Sequence, residues 1–461
     1  MIKSTKIQID NLIELLAEAH IELKKLLCDY VFMDAANLLV ECQNVAITIG
    51  ELIESSEGED CKTIRLLEEY CEIVYNVYSV LNEELDKKAN DASYSTIVDE
   101  GNISLWTNQL LEANEEIRKS VNNDIRVKTE VVFLPYNSAM WDSLESVYLE
   151  AMKDEDCNAC VIPIPYFDRN SDGALGDMHY DIDKYPDDIP VMRYDEYDFE
   201  NIHPDVTFIH NPYDGSNYVT SVHPFFYSKN LKKYTDRLVY IPYFVLGDVN
   251  PNNLAGLEGL KQFVEVPAII YADTVIVQSE NMRQAYINIM TANVGENSRS
   301  MWEKKILGLG SPKFDRVRRI RSSKLNVPDD WNAKLKKSDG TDKKIIFYNT
   351  SVVAMLKHKE NMLEKMKKVF QTFKDRQDEI ALIWRPHPLL ETTIASMRPE
   401  LLDEYKSIVE TYKKEAWGVY DDSPNLDLAI GLCDAYYGDP SSVVQLCQAA
   451  DIPVMIQNPY E

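Results

Sequence analysis

The chain has 461 residues, of which 48 are Lys or Arg and 76 are Asp or Glu, so its formal net charge is -28. At about 150 residues per domain, this length predicts roughly three domains. A hydrophobic fraction of 45% and a charged fraction of 27% are typical of globular chains and exclude wholesale disorder. The acidic balance excludes nucleic acid as a general partner, because phosphate neutralisation needs clustered Lys and Arg. It also disfavours broad adhesion to an anionic membrane.

The sequence predicts a cytoplasmic protein. No segment reaches the ~18 consecutive apolar residues of a membrane span. Asp10, Glu14 and Glu18 interrupt the N-terminal apolar residues where a signal peptide needs a continuous run. The eight cysteines are therefore expected as thiols in a reducing compartment. Cys157 and Cys160 form a C-x-x-C pair, but no second pair accompanies them to hold zinc.

Residues 1–125 predict an all-α N-terminal unit. Apolar residues recur there at helical spacing in four stretches, and Gly and Pro are nearly absent until Pro135. The Glu-x-x-His spacing of a di-iron bundle does not occur. We expect this unit to bind a protein partner or to associate with a second copy of itself.

From Val131 onward, short apolar runs alternate with amphipathic stretches. Strands are predicted over residues 131–134, 159–164, 206–209, 238–241 and 274–277, and in a second series over 345–348, 380–384, 417–420, 435–437 and 453–456. Strands that alternate with helices of 10–15 residues form parallel sheets. We therefore expect an α/β fold with two Rossmann-like domains facing a cleft, over residues 126–312 and 341–461. A basic linker, residues 313–340, joins them.

This linker is the most basic stretch of the chain and allows two interpretations. Its cations are Lys313, Arg316, Arg318, Arg319, Arg321 and Lys324. They form either a solvated helix face or a patch that attracts an anionic donor, a polymer or a membrane surface. The second interpretation predicts peripheral contact with the cytoplasmic face of a membrane.

Ligands of doubly wound sheets bind at the carboxyl ends of the strands, so the loops that follow the strands are the first place to look. The strand 380–384 runs directly into Arg385-Pro386-His387-Pro388. Arg grips phosphate oxygens with two donors, and His donates a hydrogen bond or a proton. We expect a phosphate clamp here; the alternative is a structural turn with Arg385 in an ion pair.

The second such loop begins at Gly438 and continues through Asp439 to Ser441 and Ser442, which open a helix. Serine hydroxyls and free N–H groups at a helix start bind anions, and the helix dipole strengthens the binding. Asp439 is expected to orient a ribose, a glycerol hydroxyl or Ser441. Ordinary helix capping is the alternative.

These two loops together resemble the nucleotide-binding half of the CDP-glycerol glycerophosphotransferases, the teichoic-acid primases and polymerases with a GT-B fold. The resemblance rests on residues 385–388 and 437–442, and is supported by residues 272–280, 310–315 and 347–351. It covers about 190 residues and excludes the helical N-terminal unit.

The resemblance implies transfer of an alditol phosphate from a CDP-activated donor to an acceptor hydroxyl of a polyol or polysaccharide, in cell-surface polymer assembly. The donor pyrophosphate would lie near Arg385, His387, Ser441 and Ser442, with Asn349 and Ser351 close by. No metal and no separate cofactor are expected. Two alternatives are a GT-B glycosyltransferase that uses a nucleotide sugar, and a non-catalytic member that binds nucleotide or polymer.

One family segment is missing. Members carry Trp-His-Gly-Thr in the first Rossmann domain, with the His as expected general base, whereas residues 240–247 here contain no His. His223 is the first alternative base, and His210, at the end of a strand, is the second. Ser138 and Asp142 follow the first strand and either cap a helix or face the acceptor.

Residues 166–200 are expected to form a further wall of the cleft. This stretch is rich in Asp, Tyr and Gly, includes Asp168 and His179, and is long for a connection. It is predicted to be a mobile substrate loop.

Overall fold

The computed structural model describes residues 1–90, 94–96, 98–170, 172–423 and 426–460. The chain divides into two compact units. The first consists of Met1–Val131, Ala151–Ala159 and Asp198–Val206, and the second of Val132–Glu150, Cys160–Tyr197 and Thr207–Glu461.

The first unit is dominated by four long helices, which confirms the predicted all-α N-terminal region. They are α1 (Lys3–Cys28), α2 (Phe32–Glu57), α3 (Lys62–Asn90) and α4 (Glu100–Asn123). Each helix turns one apolar stripe inward, where Ile13, Leu39, Tyr70 and Leu110 are at most 1% exposed. Two buried polar side chains pair with each other: His20 Nε2 and Tyr70 Oη lie 2.8 Å apart.

The first Rossmann-like domain follows α4. Its elements are β1 (Thr129–Leu134), α5 (Glu145–Lys153), β2 (Cys157–Val161), β3 (Tyr166–Arg169), β4 (Leu175–His179), α6 (Phe199–Ile202), β5 (Val206–Ile209), β6 (Thr220–Val222), α7 (Ser228–Leu231), β7 (Arg237–Tyr240), α8 (Leu254–Val264), α9 (Pro267–Tyr271), β8 (Thr274–Ile276), α10 (Glu280–Val294), α11 (Arg299–Lys305) and β9 (Ile306–Leu307). Six strands form one sheet in the order β2-β1-β5-β7-β8-β9. The strands β7, β8 and β9 pair in parallel.

Part of the predicted substrate loop is regular structure. The strands β4, β3 and β6 form a separate three-stranded antiparallel sheet. These strands are short and half-exposed, so they lack the apolar runs that identified the strands of the main sheet.

The second Rossmann-like domain contains a fully parallel five-stranded sheet. It follows α12 (Pro312–Ser322) and α13 (Asp329–Leu335), and its elements are β10 (Lys344–Thr350), α14 (Val352–His358), α15 (Glu360–Lys374), β11 (Ile380–Pro386), α16 (Leu390–Met397), α17 (Leu402–Glu415), β12 (Val419–Tyr420), α18 (Asp427–Leu432), β13 (Ala435–Gly438), α19 (Ser442–Ala449) and β14 (Val454–Ile456). The strand order is β12-β11-β10-β13-β14. This order reverses beside β10, which is where doubly wound sheets bind ligands.

The predicted basic linker contains two helices, and its cations are used inside the second unit. In α12, Arg316 bonds both Glu145 (2.9 Å) and Asp427 (2.7 Å), while Arg319 bonds the same Glu145 oxygen at 2.6 Å. Lys313 is held by Asp142 at 2.6 Å. The helix therefore ties α5 of the first Rossmann-like domain to α18 of the second, and most of its charge is neutralised by protein carboxylates.

No helix within the described ranges is both long enough and apolar enough to cross a bilayer.

The α12 contacts predict the effect of removing their shared carboxylate. Glu145→Gln should lower the free energy of unfolding by about 1–3 kcal/mol, because two guanidinium groups lose a charged acceptor that is largely shielded from water. Urea unfolding measures this loss.

The matched control is Glu296→Gln, which breaks an exposed ion pair with Arg299. Its expected effect is within about 0.5 kcal/mol. Equal losses in the two variants would contradict a special role for the α12 contacts.

Candidate functional site

Three strand ends lie side by side at the carboxyl edge of the five-stranded sheet. Asn349 of β10 is in register with Arg385 of β11 on one side and with Gly438 of β13 on the other. The Asn349 side chain donates to the Arg385 carbonyl oxygen at 2.9 Å, and its Oδ1 lies 3.3 Å from Ser441 Oγ. The structure thus brings together four of the residues that the sequence placed at the donor site.

Gly438 is required for this close approach. A Cβ atom on Gly438 would lie 2.3 Å from the Asn349 carbonyl oxygen and 2.9 Å from the Asn349 nitrogen. Only glycine leaves room for β10 and β13 to meet here.

Asp439 has a structural role that the sequence did not reveal. Its side chain is 1% exposed and accepts hydrogen bonds from the Ser351 backbone N–H (2.6 Å) and from Gln457 Nε2 (2.6 Å). Burial raises the pKa of Asp439, while the hydrogen bonds from Ser351 act in the opposite direction. Both carboxylate oxygens are engaged, so the expected contact with a ribose or glycerol hydroxyl is not available in this arrangement.

Arg385 is also committed to the protein. Its guanidinium lies 2.8 Å from the Asp421 carboxylate and donates to the Ser423 carbonyl oxygen at 2.9 Å. With only 6% of Arg385 exposed, this is a buried ion pair. Arg385 therefore holds a turn through an ion pair, which was the alternative interpretation of the sequence. It is not free to form the predicted phosphate clamp.

His387 and Ser351 flank the edge. His387 is exposed, and its Nδ1 accepts a hydrogen bond from the Leu389 N–H at 3.1 Å. The Ser351 Oγ caps α14 by accepting from the Ala354 N–H at 3.1 Å. Ser351 thus serves the fold, while His387 leaves Nε2 toward solvent.

Ser441 and Ser442 form the part of the edge that is open to a ligand. Ser441 is the N-cap residue of α19, but its side chain makes no capping hydrogen bond. Ser442, the first residue of α19, is exposed. The first turn of a helix carries N–H groups without intrahelical partners and the positive end of the helix dipole. The start of α19 therefore offers donors to an anion without the help of Arg385, and the anion site itself stays a prediction.

His210 cannot act as the base in this structure. It is 0% exposed, Ser143 Oγ lies 2.8 Å from its Nδ1, and its Nε2 accepts from the Tyr136 N–H at 3.0 Å. Burial lowers the pKa of His210 to about 3. The prediction of His210 as a base is therefore wrong: a strand-end position does not reveal whether a side chain points into the core.

The side chains that follow β1 are also engaged in contacts within the protein. Both oxygens of Asp142 bind Lys313 Nζ, at 2.6 and 2.7 Å. Ser138 donates from its N–H and its hydroxyl to Asp181, and Asn137 is the residue that caps the following 3-10 helix. Asp142 and Ser138 therefore hold the loop, and neither presents a free functional group.

His223 remains accessible in part. It is half-buried among Phe167, Tyr194 and Phe226, with ring centroids 6.0 to 6.3 Å away. Its Nδ1 accepts from the Phe225 N–H at 3.3 Å. Burial lowers the pKa of His223. In the neutral ring Nε2 then carries the hydrogen, so the nitrogen that could take a proton is Nδ1, which already accepts from Phe225.

A further candidate for the base is His179, which pairs with Asp168. From the sequence, both residues were expected only as parts of a substrate loop. His179 Nε2 lies 2.8 Å from Asp168 Oδ2, and the His179 ring stacks on Tyr166 at 5.0 Å. Tyr166 in turn contacts Tyr136, which follows β1. An exposed His held by a carboxylate is the arrangement of an oriented general base. Its sequence signal was weak, because the pairing of β3 with β4 brings the two side chains together.

A cavity of about 540 Å³ opens between the two Rossmann-like domains within the second unit. On one side it is lined by residues that follow β7 and β8, including Ile241 and Gln278, and by the start of α12. On the other side it is lined by Gln445 and Gln448 of α19. This volume is typical of small-molecule sites. Ser441 and Gln445 lie one helical turn apart, so the cavity is close to the start of α19.

No protein-family model matches the sequence, and no curated protein matches it. Several solved structures are similar at low identity. The UDP-GlcNAc 2-epimerase from Methanocaldococcus jannaschii has a TM-score of 0.43 and 10% identity over 71% of this chain and 83% of that chain. The wall teichoic acid polymerase TagF has a TM-score of 0.36 and 12% identity over 77% and 76%.

A third similar structure is the UDP-forming alpha,alpha-trehalose-phosphate synthase from Burkholderia xenovorans. Its TM-score is 0.38, with 10% identity over 73% of this chain and 88% of that chain.

The close approach at Gly438 predicts a steric effect. Gly438→Ala should lower the free energy of unfolding by about 1–3 kcal/mol, because the added methyl group pushes β10 away from β13. In the control Gly259→Ala, the added Cβ meets no atom within 4 Å and the position is helical. That variant should be unchanged or stabilised by about 0.5–1 kcal/mol. Urea unfolding of both variants distinguishes the expectation from a general intolerance of glycine substitution.

Asp214, in the loop after β5, predicts a pH dependence. It is 6% exposed, accepts from the Ser228 N–H and hydroxyl, and burial raises its pKa from 3.8 to about 6. Between these values the folded chain holds a proton that the unfolded chain releases. The contribution of Asp214 to the free energy of unfolding should therefore fall as the pH rises from about 4 to about 6.

Asp214→Asn isolates this contribution, since Asn keeps an acceptor for Ser228 and tolerates the positive φ of 49° found here. The stability of the native protein relative to the variant should decrease by on the order of 2 kcal/mol across that pH window. The titration of His210 has the opposite sign and cancels in the difference. A flat difference between the two proteins would contradict the assignment.

Proposed function

We propose that the second unit binds the diphosphate of a nucleotide-activated donor at the start of α19 and transfers an alditol phosphate from a CDP-activated donor to an acceptor hydroxyl. One observation carries this proposal. Ser441 and Ser442 present an uncapped helix start at the point where the strand order of a parallel sheet reverses, beside a cavity of about 540 Å³.

The donor phosphates are held mainly by hydrogen bonds and the helix dipole. The N–H groups at the start of α19 and the hydroxyl of the exposed Ser442 supply donors, while the Ser441 hydroxyl donates to Asn349 Oδ1. Arg385 acts indirectly in this proposal: its ion pair with Asp421 fixes the loop that leads to His387. The Nε2 of His387 is the remaining donor at the edge.

The reaction is a displacement at phosphorus. The acceptor oxygen forms a bond to the phosphorus that carries the alditol, the bond from that phosphorus to the bridging oxygen breaks, and CMP leaves with that oxygen. The acceptor hydroxyl proton passes to a general base. His179, oriented by Asp168, is the base that the geometry favours, and His223 is the alternative. Positioning of the two reactants supplies most of the rate.

A glycosyltransferase that uses a nucleotide sugar is the second candidate function. The contacts proposed for Ser441 and Ser442 go to phosphates and do not distinguish a CDP-alditol from a UDP-sugar. The absence of His from residues 240–247 gives weight to this candidate. A non-catalytic role in binding nucleotide or polymer is a third.

Ser442→Asp tests the donor site, because it places a carboxylate where the phosphate should bind. The carboxylate suits the helix dipole, so the fold should be unchanged or stabilised by about 0.3–1 kcal/mol. Affinity for CDP-glycerol should fall at least about tenfold, as measured by titration calorimetry. UDP-glucose, titrated in parallel, reports on the second candidate function.

Ala255→Asp is the matched control, since it adds the same charge to the exposed first turn of α8. It should leave CDP-glycerol binding unchanged. Equal binding by native protein and Ser442→Asp would contradict the donor site. Binding of UDP-glucose alone would favour the glycosyltransferase, and binding of neither nucleotide would favour the non-catalytic role.

The base is tested by the turnover of single variants. His179→Gln should lower kcat about 10²–10⁴-fold with little change in the KM for CDP-glycerol. Asp168→Asn should lower kcat by less, because the imidazole that takes the proton remains. If His223→Gln shows these changes and His179→Gln does not, His223 is the base.

A further inference from the structure

The start of α12 contains a buried hydroxyl group without a partner. Ser311 is 7% exposed, and its Oγ forms no hydrogen bond with any other residue in the described part of the chain. Ser311 lines the cavity between the two Rossmann-like domains. A buried hydroxyl that stays unpaired costs free energy, so this position is suited to a hydrogen bond supplied by a ligand.

Ser311 also lies at the N-terminus of α12, which is the positive end of the helix dipole. Ser311 is the N-cap residue of α12, whose 11 residues begin at Pro312, and its side chain makes no capping hydrogen bond. The unpaired hydroxyl and the first turn of α12 therefore face one volume. Together they provide hydroxyl and dipole stabilisation for a phosphate oxygen.

The opposite wall can recognise hydroxyl groups. The side-chain amides of Gln445 and Gln448, on α19, line the cavity and form no hydrogen bond with another residue among those described. An amide offers both donors and an acceptor, which is what a polyol hydroxyl requires. Both residues lie within two turns of Ser441, so a ligand held by them is next to the proposed donor site.

The remaining wall of the cavity is apolar, and the two charged side chains that line it, Asp315 and Arg318, offset each other. Ile241, Ile276 and Leu309 can contact a carbon skeleton. Asp315 would repel a phosphate, but it accepts from Ser146 Oγ at 2.9 Å and lies 3.6 Å from Arg318. Its charge is thus offset by a neighbouring cation.

We infer that this cavity, from Ser311 to Gln445 and Gln448, binds a polyol phosphate, the phosphate at the start of α12 and the hydroxyls at the two amides. This inference rests on the proposed function in one respect: it identifies the bound polyol phosphate with the acceptor chain end. Transfer then requires the acceptor hydroxyl to reach the donor phosphorus held at Ser441 and Ser442, and α19 contributes to both sites.

Titration calorimetry of the full chain tests this site with sn-glycerol 3-phosphate, glycerol and inorganic phosphate as separate probes. We expect saturable binding of sn-glycerol 3-phosphate, and weaker binding of either fragment. Ser311→Ala should raise the Kd for sn-glycerol 3-phosphate about tenfold, and Gln448→Leu should have a similar effect. Ser311→Ala removes an unpaired hydroxyl, so it should not destabilise the fold.

The control is Ser322→Ala at the exposed end of the same helix, which should bind the probe like the native protein. Equal Kd values for Ser311→Ala and Ser322→Ala would overturn the site, as would tighter binding of inorganic phosphate than of sn-glycerol 3-phosphate.

CDP-glycerol binding, measured separately, distinguishes the two proposals. If the native protein binds CDP-glycerol but not sn-glycerol 3-phosphate, the cavity assignment fails and the donor site stands. If it binds sn-glycerol 3-phosphate in a Ser311-dependent manner but not CDP-glycerol, the cavity stands and the proposed function fails.

Discussion

The buried carboxylate of Asp439 is the contact on which the candidate site depends. It joins the ends of three parallel strands, because it follows β13, accepts from the backbone after β10, and accepts from Gln457, which follows β14. Tyr348 extends the network by donating to Gln457. With these ends fixed and with glycine at 438, Asn349 can contact both Arg385 and Ser441. The helix start at Ser441 is held in place although its own hydroxyl caps nothing.

A second set of charges organises the two Rossmann-like domains. The basic residues of α12 looked in the sequence like a solvated face or an anion-attracting patch. Instead, Arg316 and Arg319 share Glu145, and Arg316 also holds Asp427. Because these cations are paired inside the protein, the interpretation as a membrane or polymer patch loses its main support. What α12 offers to a ligand is its start at Ser311, where a hydroxyl is left unpaired.

The sequence predicted the architecture well because buried parallel strands appear as apolar runs, and β10, β11 and β13 begin or end within two residues of their predicted bounds. The positions of Asn349, Gly438 and Ser441 at one edge followed from that topology. The contacts of individual side chains did not follow from the topology. The pairing of Arg385 with Asp421 and the burial of His210 depend on tertiary contacts that spacing does not encode. The short, polar strands β3 and β4 carried no apolar signal, so the His179–Asp168 pair was not recognised as a unit.

The most direct test of this account is a crystal structure of the full chain with CDP-glycerol bound. The account predicts that the diphosphate lies against the first turn of α19, within hydrogen-bond distance of Ser441 and Ser442, with the alditol directed toward the cavity that Gln445 lines. A diphosphate bound elsewhere on the chain, with the start of α19 left free, would contradict it.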